Sequence, residues 1–208
     1  MEKQRGENPF DEPVAQLKES APETLASLAG ARWEAEADGG RLLVPVLNGT
    51  FAVRWPDITI EASTWLDSFS LKLLCLLYLT HTDGARASGK WVAYRELPGG
   101  RFYEPVVKRS VEDPLAKAYE NDTARFLEAS EKLGGEQLEL GDASWSFTLF
   151  PNVLMAFIVW QADEEFAARA QVIFDSSAPR HLSAFDLRMG AQEISTRLVK
   201  AGKELAGG

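Results

Sequence analysis

Wound at about 3.6 residues per turn, the segment Trp65 to Leu79 carries leucine on nearly every side, at positions 66, 71, 73, 74, 76, 77 and 79. A helix without a polar stripe has no face to offer to water, so the rest of the chain must enclose it. Its longest apolar stretch, Leu71 to Leu79, is about half of the roughly 20 residues that span a bilayer. The enclosure is therefore expected from protein, not lipid. Everything else in the fold has to supply walls for this helix.

The walls read mostly as strands. Val153 to Trp160 is continuously apolar, the pattern of a strand covered on both faces and central in its sheet. Trp33, Ala35 and Ala37 alternate with Glu34 and Glu36, and Asp38-Gly39-Gly40 then turns the chain. Leu42 to Val46 and Phe51 to Trp55 flank Asn48-Gly49, a strong hairpin signal because both residues accept positive φ. A three-strand meander is expected there. Shorter strands are expected at Trp91 to Tyr94, Leu138 to Leu140, Trp145 to Phe150 and Val172 to Phe174.

Helical spacing marks Val14 to Leu28, broken by Pro22 into two short helices and closed at Gly30. Leu97-Pro98-Gly99-Gly100 reads as a turn. Asp113-Pro114 reads as the start of a helix running to about Glu120, with proline at its first position. Asp122 caps a further helix that stops at Gly134-Gly135, and a last helix spans about Ala184 to Leu205. The expectation is an α+β fold: a mostly antiparallel sheet around a buried central helix, with further helices on one face. Residues 1–12 are expected to be a flexible terminus and 13–206 one globular domain, with no repeat and no dividing linker.

Charge and cysteine usage exclude whole classes of function. The formal net charge is −9, and the basic pair Lys108-Arg109 is followed at once by Glu112 and Asp113. Nucleic acid and anionic membrane both require a basic footprint, so neither is an expected partner. A single cysteine, Cys75, permits no internal disulfide and no cysteine-based zinc, iron–sulfur or redox site within the chain. Among leucines it reads as a small buried hydrophobe. The first residues lack the apolar core of a signal peptide, and a cytoplasmic location is expected. There is no phosphate loop, no dinucleotide fingerprint and no nucleophile elbow, and His81 and His181 lie outside any metal-ligand spacing.

Three stretches can carry chemistry. Trp91 to Tyr103 leaves a strand and turns, placing Arg95, Glu96 and Tyr103 close together. The arginine can bind a carboxylate or phosphate bidentately, or it can simply pair with Glu96 while the aromatics pack. Trp160 to Phe166 ends the central strand with Asp163, Glu164 and Glu165. Adjacent carboxylates can raise one another's pKa or accept Mg²⁺ or Ca²⁺, or they can be a solvated acidic turn. Phe174 to Leu182 holds Asp175, suited to a turn cap, and His181, a possible axial ligand or general base but equally an ordinary packed histidine.

These stretches resemble a family of uncharacterised proteins known only as a domain of unknown function, whose members come largely from anaerobic bacteria and archaea. The likeness runs through Leu77-Tyr78-Leu79, Ser88 to Val92, Arg95 to Gly100 and Tyr103, then Asp113 to Ala116, Leu133 to Gly135 and Gly141 to Ala143. It continues in Trp160, Asp163 to Phe166, Phe174-Asp175 and Ser177-Ala178. Two positions depart from the family pattern. Ala167 stands where a proline is usual, and Arg180-His181 where a His-Tyr pair is common. Some members carry a four-cysteine iron–sulfur module that this chain lacks. The resemblance implies an anaerobic, redox-linked or cofactor-linked context and supplies no activity.

The segment Leu74 to Asp186 is therefore expected to carry the function. The leading expectation is a binding domain for a small molecule or cofactor, a haem or other tetrapyrrole among the possibilities, between the Arg95–Tyr103 loop and the Trp160–Phe166 strand end. Trp91, Tyr103 and Trp160 would cover the ligand's body, Arg95 and Glu96 would hold its polar edge, and His181 would reach its metal. The rivals are a hydrolase or lyase using Glu96 with Asp163, Glu164 or Glu165 and a divalent cation, and an adaptor for a redox protein partner. Oligomeric state is open.

Overall fold

The computed structural model describes residues 8–207, so the first seven residues of the expected flexible terminus lie outside the described residues. Two short helices lead the chain, α1 (Asp11–Lys18) and α2 (Pro22–Ala29). Pro22 opens α2 because a helix's first N–H groups have no partner to lose and its φ already suits the turn. Gly30 closes it at φ 62°, a conformation that a side chain disfavours.

A four-stranded antiparallel sheet follows in simple order: β1 (Arg32–Glu36), β2 (Gly39–Val46), β3 (Gly49–Trp55) and β4 (Thr59–Glu61). The expected three-strand meander gains β4, too short to show a period, held to β3 by Arg54 against Glu61 at 2.5 Å. The β2–β3 turn is one residue earlier than Asn-Gly predicts. Val46 pairs with Gly49, which leaves Leu47 and Asn48 as the loop, with Leu47 at φ 51°. Gly49 sits in close quarters instead: a Cβ there would stand 2.7 Å from Leu66 Cδ1, whose side chain would have to shift.

The leucine-rich helix is α3 (Phe69–His81). It starts four residues later than Trp65 because Ser68 is the cap, its Oγ accepting from Leu71 N at 3.3 Å. Leu71, Leu74, Cys75 and Tyr78 are fully buried, and Tyr78 stacks on Phe150 at 4.7 Å while donating its hydroxyl to Ala29 O at 2.8 Å. Burial pushes that phenol up to about 12.

After β5 (Trp91–Ala93) and a 3₁₀ turn at Tyr94–Glu96, the chain enters α4 (Gly100–Val107). A π turn at Lys108–Glu112 runs on into α5 (Asp113–Ala118). Asp113-Pro114 is thus a junction inside a longer helical run and not the expected helix start. Then come α6 (Thr123–Leu133), capped by Asp122 Oδ1 accepting from Arg125 N at 2.9 Å, and the strands β6 (Glu136–Leu138), β7 (Ala143–Phe150), β8 (Val153–Trp160) and β9 (Arg169–Asp175). The chain ends in α7 (Ala184–Gly207).

The second sheet is antiparallel in the order β5-β9-β8-β7-β6. The apolar strand β8 is its middle member, as its composition predicts. The single sheet expected around α3 is in fact two, joined where Leu47 N donates to Leu149 O at 3.3 Å. One apolar core includes side chains of both sheets and of α3, α6 and α7. The fold is α+β. Among the described residues no helix is long and apolar enough to cross a membrane.

Candidate functional site

Strand β9 outruns its neighbour. The pairs Trp91↔Asp175, Val92↔Phe174 and Ala93↔Ile173 use up β5, and Arg169 to Val172 continue beyond it. Ser176 N donates to Lys90 O at 2.8 Å. Backbone groups alternate sides along a strand, so Phe174, Val172 and Ala170 turn theirs the same way. The N–H of Val172 therefore emerges at an open edge. It donates to Glu112 Oε1 at 3.2 Å, a carboxylate standing where a neighbouring strand's carbonyl would be.

The π turn explains how a helix residue reaches that edge. Pro114 has no N–H, and its ring would collide with the carbonyl of Ser110 in a regular α-turn. Widening the preceding turn relieves the collision, and Asp113 N donates instead to Lys108 O, five residues back. Ser195 Oγ of α7 donates to Val111 O at 3.0 Å and fixes the turn from behind. Burial raises the Glu112 carboxyl above its usual value; the Val172 N–H and Lys108 oppose the rise, while Asp113 and Glu104 add to it.

Between the open edge and the α4–π run lies a cavity of about 310 Å³, lined among others by Arg95, Glu104, Lys108, Glu112, Trp160 and Arg169. Arg95 stands 4.0 Å from Glu104. Lys108 Nζ is 2.8 Å from Asp113 Oδ1, a hydrogen bond that raises the ammonium's pKa. Arg169 faces Trp160 across the β8–β9 register and lays its guanidinium 4.0 Å over the indole ring. No ion-pair partner meets Arg169 among the described residues. The same stack walls a second cavity of about 410 Å³, which Asp142, Gln161, Asp163 and Phe166 also line.

Of the residues singled out in the sequence, Arg95 and Trp160 meet at one cavity, with Asp163 and Phe166 at the next. The expected Arg95–Glu96 pair does not form. Glu96 Oε2 instead accepts from Ala93 N at 2.7 Å and caps the 3₁₀ turn. Tyr103 points away, edge-on to Phe185 at 5.9 Å. Trp91 packs with Trp160 against Ala156, Ile158 and Ile173 on the sheet's outer face.

Asp163 Oδ1 accepts from Glu165 N at 2.8 Å and Phe166 N at 2.7 Å, folding the acidic turn on itself. Glu164 and Glu165 are exposed. Among the described residues no three His, Cys, Asp or Glu side chains are grouped to hold a metal.

His181 is fully buried and lines neither cavity. Its Nδ1 lies 2.9 Å from Thr82 Oγ1, its Nε2 has no partner among the described residues, and burial lowers its pKa. Asp175, also fully buried, accepts at Oδ1 from Ser88 N (3.0 Å), Ser88 Oγ (2.9 Å), Ser177 N (2.9 Å) and Ser177 Oγ (2.6 Å), and at Oδ2 from Gly89 N (2.8 Å). Burial alone would raise that carboxyl; the hydrogen bonds outweigh it and hold the group below its usual value. Cys75 is an enclosed thiol raised by burial.

A family model described as Domain of unknown function (DUF3786) matches residues 21–197. The chain belongs to this family. The DUF3786 match opens just before α2 and ends within α7, so it contains both cavities and leaves α1 outside. Comparisons with curated proteins and with solved structures returned no match. In this DUF3786 domain the charged cavity residues that sequence reasoning missed are Glu104, Lys108, Glu112 and Arg169. Pro114, two residues beyond Glu112, hints at a wider turn and the acidic hairpin after Trp160 at a returning strand, but neither gives the direction of Glu112 or the register that sets Arg169 opposite the indole.

Proposed function

We propose that this domain binds a small anionic molecule in the cavity at the open edge of β9. One observation carries the reading: the Arg169 guanidinium, planar and always charged, is spread on Trp160 with no carboxylate at ion-pair distance among the described residues. In a chain of net charge −9, that cation is available to a ligand. Arg95, only loosely engaged by Glu104, stands on the same cavity. A volume of about 310 Å³ is at the lower end of the roughly 300–1,000 Å³ of ligand sites. That size favours a molecule smaller than a tetrapyrrole, and His181, the axial ligand a haem would use, lies elsewhere.

Thermal shift and calorimetric titration with inorganic phosphate and small carboxylates test the reading. Saturable stabilisation is expected, about 2.7 kcal/mol at a ligand concentration of 100 Kd, and Arg169→Ala should abolish it while leaving the unliganded melt nearly unchanged. No stabilisation, or equal stabilisation of Arg169→Ala, overturns it. A second reading, acid–base catalysis on the bound molecule, is favoured by Glu112, whose raised carboxyl lines the cavity. It requires turnover that Glu112→Gln loses while still binding.

A further inference from the structure

The cavity's lining is not that of a plain anion site. Beside Arg95, Lys108 and Arg169 it holds two carboxylates, Glu104 and Glu112. Glu112 spends one oxygen on Val172 N, and its Oε2 meets no protein donor among the described residues. On the wall of a cavity that oxygen is free to accept from a bound molecule, and a charged donor makes the stronger hydrogen bond. A phosphate or a simple carboxylate would answer Arg169 and leave that oxygen repelling it. A ligand with charges of both signs answers both ends.

We infer that the ligand is a zwitterionic amino acid, its carboxylate on Arg169 with Arg95 and its ammonium on Oε2 of Glu112. This rests on the anion-binding reading of the same cavity and specifies what else the anion must carry. Lys108 is the weakest of the three cations as a ligand group, since Asp113 holds it at 2.8 Å. The spacing of the ends is set by β9. Val172, which anchors Glu112, is three residues from Arg169, roughly 10 Å of extended strand. The Arg169 guanidinium rests on Trp160 of β8, across the strand from the edge that Glu112 occupies, so ω-amino acids of four or five methylenes suit that separation while α-amino acids match the charge pattern alone. The two differ only in reach.

The test is calorimetric titration of the full chain with free α-amino acids, with 5-aminopentanoate and 6-aminohexanoate, and with inorganic phosphate. Each amino acid that binds is repeated as its N-acetyl derivative and as its carboxamide. The expected result is saturable binding of one or both zwitterion series. Acetylating the nitrogen and amidating the carboxylate should each weaken it about tenfold or more, the loss of a charge-assisted hydrogen bond. Glu112→Gln keeps an acceptor for Val172 N and should bind the N-acetyl and parent compounds alike, while Arg169→Ala should erase the difference between parent and carboxamide.

Should Glu112→Gln fail to fold, the derivatives on the native chain still decide. Binding of phosphate or of the N-acetyl compounds as tight as that of the parents overturns the zwitterion and leaves the anion reading standing. Binding of neither class overturns both.

Discussion

Asp175→Asn is the sharpest probe of how the segment before β5 is tied to β9. The carboxylate is fully buried and accepts five hydrogen bonds, four at Oδ1 and one at Oδ2. Asparagine can keep its oxygen at the Oδ1 position, but its NH₂ then faces Gly89 N, donor against donor. One buried N–H goes unsatisfied, costing about 1–3 kcal/mol, and the other bonds lose their charge assistance. A loss of about 3 kcal/mol is expected, or about 6–12 °C in Tm for a domain of this size.

The pH dependence supplies a second, independent check. The folded-state pKa is depressed, so the carboxylate's contribution is present above the unfolded value near ~3.9 and is lost as pH falls through the lower folded value. Urea unfolding followed by tryptophan fluorescence should show the full gap between native chain and Asn variant at pH 7, narrowing below about pH 4. A loss under about 1 kcal/mol at pH 7, or a gap that stays constant on acidification, refutes this account of Asp175.

His181, its pKa lowered by burial, should make stability fall as pH drops below its unfolded value of about 6.5, levelling out once the folded value is passed; denaturation midpoints across pH 5–8 should lose this slope in His181→Gln. Ser195→Ala leaves Val111 O without its buried donor and should cost about 1–3 kcal/mol in chemical denaturation, whereas a change near zero would mean that the π turn does not need this support. Arg169→Lys retains the charge but not the planar stack on Trp160; stability should stay within about 0.5 kcal/mol while titration with the tightest binder among the small anions and amino acids shows weaker binding, and unchanged affinity would mean that the stack does not hold the ligand.

What the sequence made legible were elements whose own residues leave no choice. A leucine helix with no polar stripe had to be α3, and an apolar run as long as β8 had to be central. Asp122 behaves as the cap that it looks like. The reading failed where breakers crowd: Pro98, Gly99, Gly100, Pro105 and Pro114 hid a helical run that tertiary contacts and a π turn keep continuous. The same division holds for the site. Arg95 and Trp160 could be picked out because each stands where a strand meets a turn. Glu112 could not, because its direction depends on the phase that the π turn adds, and Arg169 depends on register across a hairpin. His181 and Asp175 have residue types that advertise chemistry, but both are fully buried away from the cavities, and five hydrogen bonds already occupy Asp175.

The open stretch of β9 also bears on how this protein behaves at high concentration. An unpaired strand edge is a template on which another copy's strand can grow, and proteins guard such edges with charge or a covering element. Here the guard is Glu112 on Val172 N, with the cations of the cavity beside it. Glu112→Ala would remove the guard and leave the strand and its neighbours in place. The expected phenotype has two parts: one unpaired backbone N–H costing about 1–3 kcal/mol, or about 2–12 °C in Tm, and light scattering that rises with protein concentration and time. The carboxylate proposed to meet a ligand would then also be what keeps neighbouring copies apart.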